Sequence, residues 1–599
     1  MILDDLCRLY DLKLKTGAVP PRGWTRERIA WKLVIDDEGT LVNVVPMGDG
    51  SRPYVLMFVP EHTTKTSGIK PYFLCDKAAI FLACGTARNL KEHQASLKSH
   101  GEFLKDVQDP AVSAVIGFLE NPKAEKWVDV CKDNLDGLAV LQLLGDDVPV
   151  FERSAIRQKW DVDCSHWNEG VGSDKCDGCS NVDELIQCSV SGRISAPAKL
   201  FPMLKGIPHA QSSGASLVSF NQESFCSYGK SISDQAANAS LSSEAAFKAG
   251  SALRYLMGDK SHYVTIGNDR IVFWTDADSQ TDLDDISLFL NMDGAKREVE
   301  NEALLDELNA RLVAIRSGRK ALDVDAQAQY YLMCISPNMS RLSIRFFETG
   351  TLGSLNERFG QYLRDIEMIG FGGKPLEPRS IRVYINQTAP LAKSENVPAT
   401  LVASVFQAML RGDAFPQSLY LQLLSRIRAD KGYDHSASKP KDAMHLRVSM
   451  IKACLLRSAR QKGDEALERS LTVSLNEGND NKGYVLGRLF AALEKVQRDA
   501  LGQNVNATIR DRYIGAASTT PARVFPQLMK MSQHHISKAE YGVSSERIIE
   551  RIVAKLDSGT GFPTTLSLQD QGQFFIGYYQ QKESFYTKKA NGNAIVKEN

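Results

Sequence analysis

The chain has 599 residues, 43% hydrophobic and 24% charged, with 43 Gly and 22 Pro; at about 100–200 residues per domain this predicts about two to four domains and excludes a disordered, collagen-like or coiled-coil protein. Lys plus Arg and Asp plus Glu balance at 72 each, which taken whole argues against a nucleic-acid binder, yet residues 401–599 carry 28 basic against 19 acidic side chains, a net +9 that leaves −9 for residues 1–400. Eleven scattered Cys, the absence of any apolar run near about 18 residues, and Asp4 and Asp5 where a signal peptide carries Lys or Arg predict a cytoplasmic chain with no membrane partner.

Taken in order, Ile29 to Ile35 and Leu41 to Met47 alternate around Asp36-Asp37-Glu38-Gly39, a hairpin signal, and Tyr54 to Val59 supplies a third strand. A polar, basic, glycine-bearing loop follows from His62 to Lys70. Phe73 to Leu90, Val112 to Leu119 and Asn134 to Leu144 read as helical. Between Asp161 and Leu241 the composition turns to Cys, Ser, Gly and Asn with little periodicity, which marks a boundary or an irregular module. Ala245 to Met257 is a predicted helix, and His262 to Ile266 pairs with Arg270 to Trp274 across Gly267-Asn268-Asp269. Tyr330 to Ile335 and Leu342 to Phe347 form a second hairpin, followed by a helix over Gly353 to Ile369 and a strand over Ile381 to Ile385.

After about Pro398 only helical periodicity remains, as in Val485, Leu486, Leu489, Leu493 and Val496, with start signals at Thr520-Pro521 and Ser567-Leu-Gln-Asp570. The predicted fold is α+β: a mixed N-terminal and central region with β-hairpins, then an all-α helical bundle. The expected divisions are residues 1–160, an irregular Cys/Ser/Gly-rich module over 161–242, a central α+β domain over 243–398, and the bundle over 399–599. Expressed from Met444 or Met450 onward, the end of the bundle is expected to be soluble and helical.

Enzymatic signatures fail in turn. Gly229-Lys230-Ser231 resembles the end of a P-loop, but Ser224 stands where its first Gly belongs. Metalloprotease, nucleophile-elbow and dinucleotide-binding patterns are missing, so no catalytic residue is assigned. Cys176-Asp-Gly-Cys179, with Cys164, His166 and Cys188 within twelve residues, has the spacing of a structural zinc site; free thiols in an exposed insertion fit as well.

For nucleic acid, Lys65, Thr66, Ser67 and Lys70 offer ammonium and hydroxyl donors around Gly68, as a solvated turn also would. Gln211, Ser212, Ser213 and Asn221 lie in a donor-rich tract that resembles a linker apart from Leu217, Val218 and Phe220. In the bundle, Arg457, Arg460, Arg488, Arg510 and Arg512 could track a phosphodiester strand or form solvated helix faces.

Several long strings carry a resemblance. Lys205 to Asn221, Ser227 to Gly229, Ile335 to Phe347, Gly487 to Lys495, Asn506 to Ser518, Ser532 to His535 and Ser567 to Gly572 resemble, in order, the large subunit of the type I-C CRISPR surveillance complex, Cascade; the opening, with Thr66 to Lys70 and Phe73 to Asp76, is similar too. The resemblance implies a non-catalytic subunit of a CRISPR RNA-guided ribonucleoprotein. Such a subunit reads the protospacer-adjacent motif (PAM) in duplex DNA, helps open the duplex and hold the displaced strand, and gives a docking platform to a separate helicase-nuclease in antiviral defence. It also implies that the C-terminal part, from about residue 450, is made separately as a small helical subunit beside the RNA-bound backbone subunits. No cofactor is required by it. Cys188 sits where the family carries a Cys, whereas Cys176 and Cys179 do not, so a zinc rests on spacing alone. The other readings are a metal-dependent nucleic-acid hydrolase that uses the Cys segment, and a scaffold with no DNA contact.

Overall fold

A computed structural model describes residues 1–48, 52–62, 69, 71–123, 125–165, 185–198, 200–227, 229–276, 286–287, 289–290, 312–317, 325–370, 372–430, 443–502, 508–556 and 561–587. The chain is α+β and divides into two compact units, one of Met1–Gly206 with Gln211–Gly258, the other of Ile207–Ala210 with Asp259–Asn599.

In the first unit, α1 (Ile2–Lys15) precedes a five-stranded sheet organised by the long strand β1 (Trp24–Ile35). β2 (Leu41–Pro46) and β3 (Val55–Pro60) pair antiparallel with successive halves of β1, with Trp31 opposite Pro46 and Trp24 opposite Pro60. The β1–β2 turn closes because Asp36 Oδ1 accepts the Thr40 amide at 2.7 Å and Gly39 adopts φ +80°. A Cβ at Gly39 would stand 2.6 Å from the Ala114 carbonyl, so packing as well as conformation requires glycine there.

Beyond the short strand β4 (Cys75–Lys77) come the helices α2 (Ala78–Phe81), α3 (Ala87–Leu104), α4 (Pro110–Glu120) and α5 (Glu125–Cys131). β5 (Leu138–Leu143) then inserts between β1, to which it runs parallel, and β4. The helix expected over Asn134 to Leu144 is therefore a strand. Leu-Ala-Val-Leu-Gln-Leu is a continuous apolar run without a period, and both of its faces are covered, which a buried interior strand requires. Likewise Phe73 to Leu90 holds β4 and α2 before α3 begins. Leu33, Ile35, Phe118, Val140 and Leu141 meet in the core between sheet and helices. The unit closes with α6 (Ser154–Ser165), a small hairpin of β6 (Ile186–Gln187) and β7 (Ile194–Ser195), and α7 (Ser243–Gly258). α7 is held to α1 by Tyr10 edge-on to Phe247 and by Lys248 bound to Asp11 at 3.0 Å.

In the second unit, β8 (Tyr263–Ile266), β9 (Asp269–Thr275), β10 (Gln329–Asn338) and β11 (Arg341–Thr351) make one antiparallel sheet in the order β11-β10-β9-β8. Both predicted hairpins are present. α8 (Leu352–Ile366) follows, and then α9 (Ile381–Asn386) where a strand was expected. Ile381, Tyr384 and Ile385, at i, i+3 and i+4, all turn into the core, and a run of six residues is too short for periodicity to separate the two states.

The remaining helices are α10 (Ala399–Arg411), α11 (Gln417–Ala429), α12 (Ala443–Lys462), α13 (Glu465–Ser470), α14 (Lys482–Leu501), α15 (Ile509–Ala517), α16 (Pro521–Ile536), α17 (Gly542–Val553) and α18 (Leu568–Ser584). α14 and α18 approach most closely through glycines: a Cβ on Gly487 would overlap the Phe574 carbonyl, and one on Gly577 the Tyr484 carbonyl. One hydrophobic core runs unbroken from Val264 in β8 to Tyr579 in α18, so hairpins and bundle fold around shared side chains.

Candidate nucleic-acid interface

Lys65, Thr66, Ser67 and Lys70 lie outside the described residues, but both roots of their loop are on view. At one root, β3 ends and the Glu61 amide donates to the Gly23 carbonyl at 2.7 Å. His62 then stacks on Tyr72 from the other root, with ring centroids 3.7 Å apart and planes 10° apart. The second root is pinned more heavily. Asp76, fully buried, accepts the Tyr72 amide at 2.9 Å. Phe73 lies between the rings of His100 and Trp160, at 5.3 and 4.9 Å. Leu74, held at φ +52°, donates its amide to His100 Nε2 at 2.9 Å, while His100 Nδ1 faces the Ser96 carbonyl at 2.7 Å. The imidazole is thus neutral, with its proton on Nδ1. Burial pushes its pKa down to about 4 against the support of the Ser96 carbonyl.

The second tract is built on an isolated bridge in which Leu204 and Ala215 exchange amide–carbonyl hydrogen bonds of 2.8 and 2.9 Å. Gly214, at φ +114°, donates its amide to the Gln211 carbonyl. Gln211, Ser212 and Ser213 are exposed, as is Asn221, whereas Gly214, Ala215 and Ser216 are buried and Ser216 Oγ donates to the Val218 carbonyl at 2.7 Å. The segment is a packed turn with an exposed polar tip, which a linker is not.

Glu27, on β1, connects the two tracts. His62 Nε2 stands 3.7 Å from its carboxylate, and the charges of Lys205, next to the Leu204 bridge, and Arg254, on α7, act on it as well. Glu61 is acted on by Arg254 and by Arg22. Burial raises the pKa of both carboxylates more than these cations lower it. Arg254 is exposed, and the neighbouring protein lowers its pKa by desolvation against the charges of Glu61 and Glu27. Sequence reasoning missed Arg22, Glu27, Glu61, Lys205 and Arg254 because they are far apart in the chain; the alternation of charge in Arg26-Glu27-Arg28 within a strand was the one local signal.

Three of the five bundle arginines are engaged by acceptors on other elements, Arg457 and Arg488 buried and Arg460 half-buried. Arg457 Nε bonds Asp365 Oδ2 at 2.9 Å, and its guanidinium covers the Phe415 ring. Arg460 is shared between Asp365 and Glu468 at 2.6 and 2.7 Å. Arg488, 5% exposed, donates to Gln581 at 3.0 Å. These side chains hold helices together and are not laid out along a strand path. Arg510 is half-buried and Arg512 exposed.

His166, Cys176 and Cys179 lie outside the described residues. Cys164 and Cys188 occupy different environments: the Cys164 sulfur packs against Gly23, and burial with the nearby Asp163, Glu61 and Asp161 pushes its pKa up to about 12. Burial also acts to raise that of Cys188, but hydrogen bonds from the Ser242 hydroxyl and the amides of Ser191, Ser242 and Val190 outweigh it and bring the value to about 7. Among the described residues no group of three His, Cys, Asp or Glu side chains could hold a metal, and no helix is long and apolar enough to cross a membrane.

No curated protein matches the chain. The profile of the family described as CRISPR-associated protein (Cas_Csd1) matches residues 6–586, nearly the whole chain, which therefore belongs to that family.

Proposed function

We propose that this CRISPR-associated protein is the non-catalytic large subunit of a type I-C Cascade. It reads the PAM in duplex DNA, helps open the duplex, holds the displaced strand and offers a docking platform to the helicase-nuclease. Its partners are the CRISPR RNA-bound backbone subunits and a small helical subunit made from its own C-terminal part, in the cytoplasm. The observation that carries the reading is the convergence, around Glu27, of the root of the Lys65–Lys70 loop and the base of the Gln211–Asn221 turn. A duplex groove that is still paired is read by donors that reach its purine acceptors, and the sequences of these two segments offer such donors. Of the arginines considered for the displaced strand, Arg512 is the one that faces solvent.

The test is binding of PAM-bearing and PAM-scrambled duplexes by the reconstituted complex. Lys65→Ala or Lys70→Ala is expected to cost about 1–3 kcal/mol on the cognate PAM and much less on the scrambled duplex. Unchanged discrimination in Lys65→Ala, Lys70→Ala and Gln211→Ala alike would refute PAM reading by these loops.

A further inference from the structure

The sheet of the first unit has two unlike edges. One is β4, three residues long and charged through Asp76 and Lys77. The other is shared by β2 and β3, and β3 carries none of the usual guards. Val55-Leu-Met-Phe-Val-Pro60 has no charged residue, and its one proline stands at the end. Among the described residues it pairs with β1 alone, so its backbone N–H and C=O groups on the far side meet no strand. Val55 and Leu56 are 40% and 45% exposed there. An edge strand open to water is ordinarily protected by charge, proline or shortness, and an uncharged one of high β-propensity invites pairing with another chain. Charge lies beside this edge on one face. Arg26, Arg28 and Lys32 alternate along β1, with Arg26 opposite Phe58 and Arg28 opposite Leu56. Among the described residues no carboxylate lies within ion-pair distance of any of the three. Arg28 covers the Tyr54 ring at 4.8 Å, and Tyr54, Val55, Leu56 and Met47 line an open hollow of about 430 Å³ together with Arg52.

We infer that β3 is an assembly edge: in the complex an extended segment of a backbone subunit pairs with it as a further strand. That segment seats an apolar side chain in the hollow and turns carboxylates to the face of Arg26 and Arg28. An added strand lies two strand spacings, about 10 Å, from β1, a gap that an arginine and a carboxylate side chain span together across Leu56 or Phe58. The occupant is a polypeptide because the open groups of β3 are a ladder of amides and carbonyls. Another backbone satisfies such a ladder group by group, and a phosphodiester chain, which has no N–H donor, does not. The inference rests on the proposed place of the chain in a Cascade, and it gives this edge the task of joining a protein neighbour while the two loops meet DNA.

The experiment is amide hydrogen exchange over Val55–Pro60 in the free full chain, in the complex reconstituted with CRISPR RNA-bound backbone subunits, and in that complex after addition of PAM-bearing duplex. The outward amides of β3 are expected to exchange at least about tenfold more slowly on assembly and to change no further with DNA. Leu56→Lys, at a position open in the free chain, is expected to leave its melting temperature unchanged and weaken assembly about tenfold, as the loss of one buried leucine does. Leu56→Thr, which keeps strand propensity, should weaken it in the same direction. Arg26→Glu combined with Arg28→Glu is expected to cost about tenfold as well. Three results would overturn the inference: exchange at β3 that is the same free and assembled, protection that appears only with DNA, and wild-type assembly in both Leu56→Lys and the double arginine variant. The first two are read on wild type, so they stand whatever the variants do to folding. A wild-type chain that never joins the backbone subunits defeats the proposed function and this inference together. One that joins them with β3 unprotected defeats this inference alone, and one that protects β3 without discriminating PAM defeats the loop reading alone.

Discussion

Arg457 and Asp365 form an ion pair of 2.9 Å in which the two side chains are 1% and 0% exposed. It joins α12 to α8, hence the bundle to the helix that follows the β10–β11 hairpin, and Arg457 adds hydrogen bonds to the carbonyls of Ala408 and Asp413, each at 3.1 Å. Lys452, also buried on α12, is acted on by the same carboxylate, which partly offsets the burial that lowers its pKa to about 8.

Removing one member of such a pair leaves a buried charge without its partner. Asp365→Ala is expected to destabilise the second unit by about 3–5 kcal/mol, read from the shift in its denaturant midpoint. Arg457→Ala should destabilise it too, and lower DNA binding only in proportion to the folded fraction lost. A fully stable Arg457→Ala variant that loses displaced-strand binding would return this residue to the nucleic-acid surface.

His100 gives the first unit a pH dependence with a defined sign. Its pKa in the folded chain, about 4, lies below the ordinary value of 6.5. Between these values the unfolded chain binds a proton that the folded one does not, so stability falls as pH drops from about 6.5 towards about 4. The whole window is worth about 3 kcal/mol at 1.36 kcal/mol per unit. His100→Gln, which keeps an acceptor for the Leu74 amide, should flatten this part of the profile. A profile that keeps its slope in the variant would assign the dependence to other groups.

Elements with a strong local signature were legible in the sequence. The β1–β2, β8–β9 and β10–β11 hairpins were marked by turn residues between alternating strands, and α18 by the Ser567-Leu-Gln-Asp570 cap, in which Ser567 accepts the Asp570 amide. β5 and α9 were not, since a short apolar run is compatible with either state until its neighbours are known, and for Leu138–Leu143 those neighbours are β1 and β4. The candidate site divides in the same way. Lysines and amides in glycine-bearing loops show in the linear order, whereas Glu27, Glu61 and Arg254 become a cluster only when β1, β3 and α7 meet. Arg457 and Arg488 misled because a helical arginine looks the same in sequence whether it faces solvent or a buried acceptor such as Asp365 or Gln581.

Gly23 tests whether Cys164 is there for packing. A Cβ at Gly23 would stand 2.6 Å from the Cys164 sulfur, and the backbone is at φ +79°, while the Gly23 carbonyl accepts both the Glu61 amide and Trp160 Nε1. Gly23→Ala should therefore cost about 1–3 kcal/mol through crowding and conformational strain together. Adding Cys164→Ala removes the crowding and not the strain, so the double variant is expected to recover part of the loss. Elemental analysis of the same proteins, purified without chelator, should find equal zinc in wild type and Cys164→Ala. Zinc that disappears with Cys164 would make it a ligand.

The shared core of the second unit sets the terms for the C-terminal fragment. α12 begins at Ala443, so a chain starting at Met450 lacks its first two turns, including Leu446 and Val448, which are 7% and 0% exposed. A chain starting at Met444 keeps them. Both starts lose α8 and α11, and with them Asp365, Asp430 as the partner of Arg447 at 2.6 Å, and Tyr420, whose hydroxyl donates to the Leu568 carbonyl at 2.6 Å. What remains is the tightly apposed pair α14 and α18 with its own aromatic core around Phe490, Phe574 and Tyr578. Both fragments should therefore be helical by circular dichroism, with the Met444 start more stable by at least about 1 kcal/mol, less than the burial of either lost side chain contributes in full. The part of α12 that packs on α8 and α11, uncovered in both fragments, should make both associate or bind a hydrophobic dye until a partner covers it. Equal melting temperatures for the two starts, with neither association nor dye binding, would show that the first two turns of α12 contribute nothing to the fragment and that the bundle closes its core without α8 and α11.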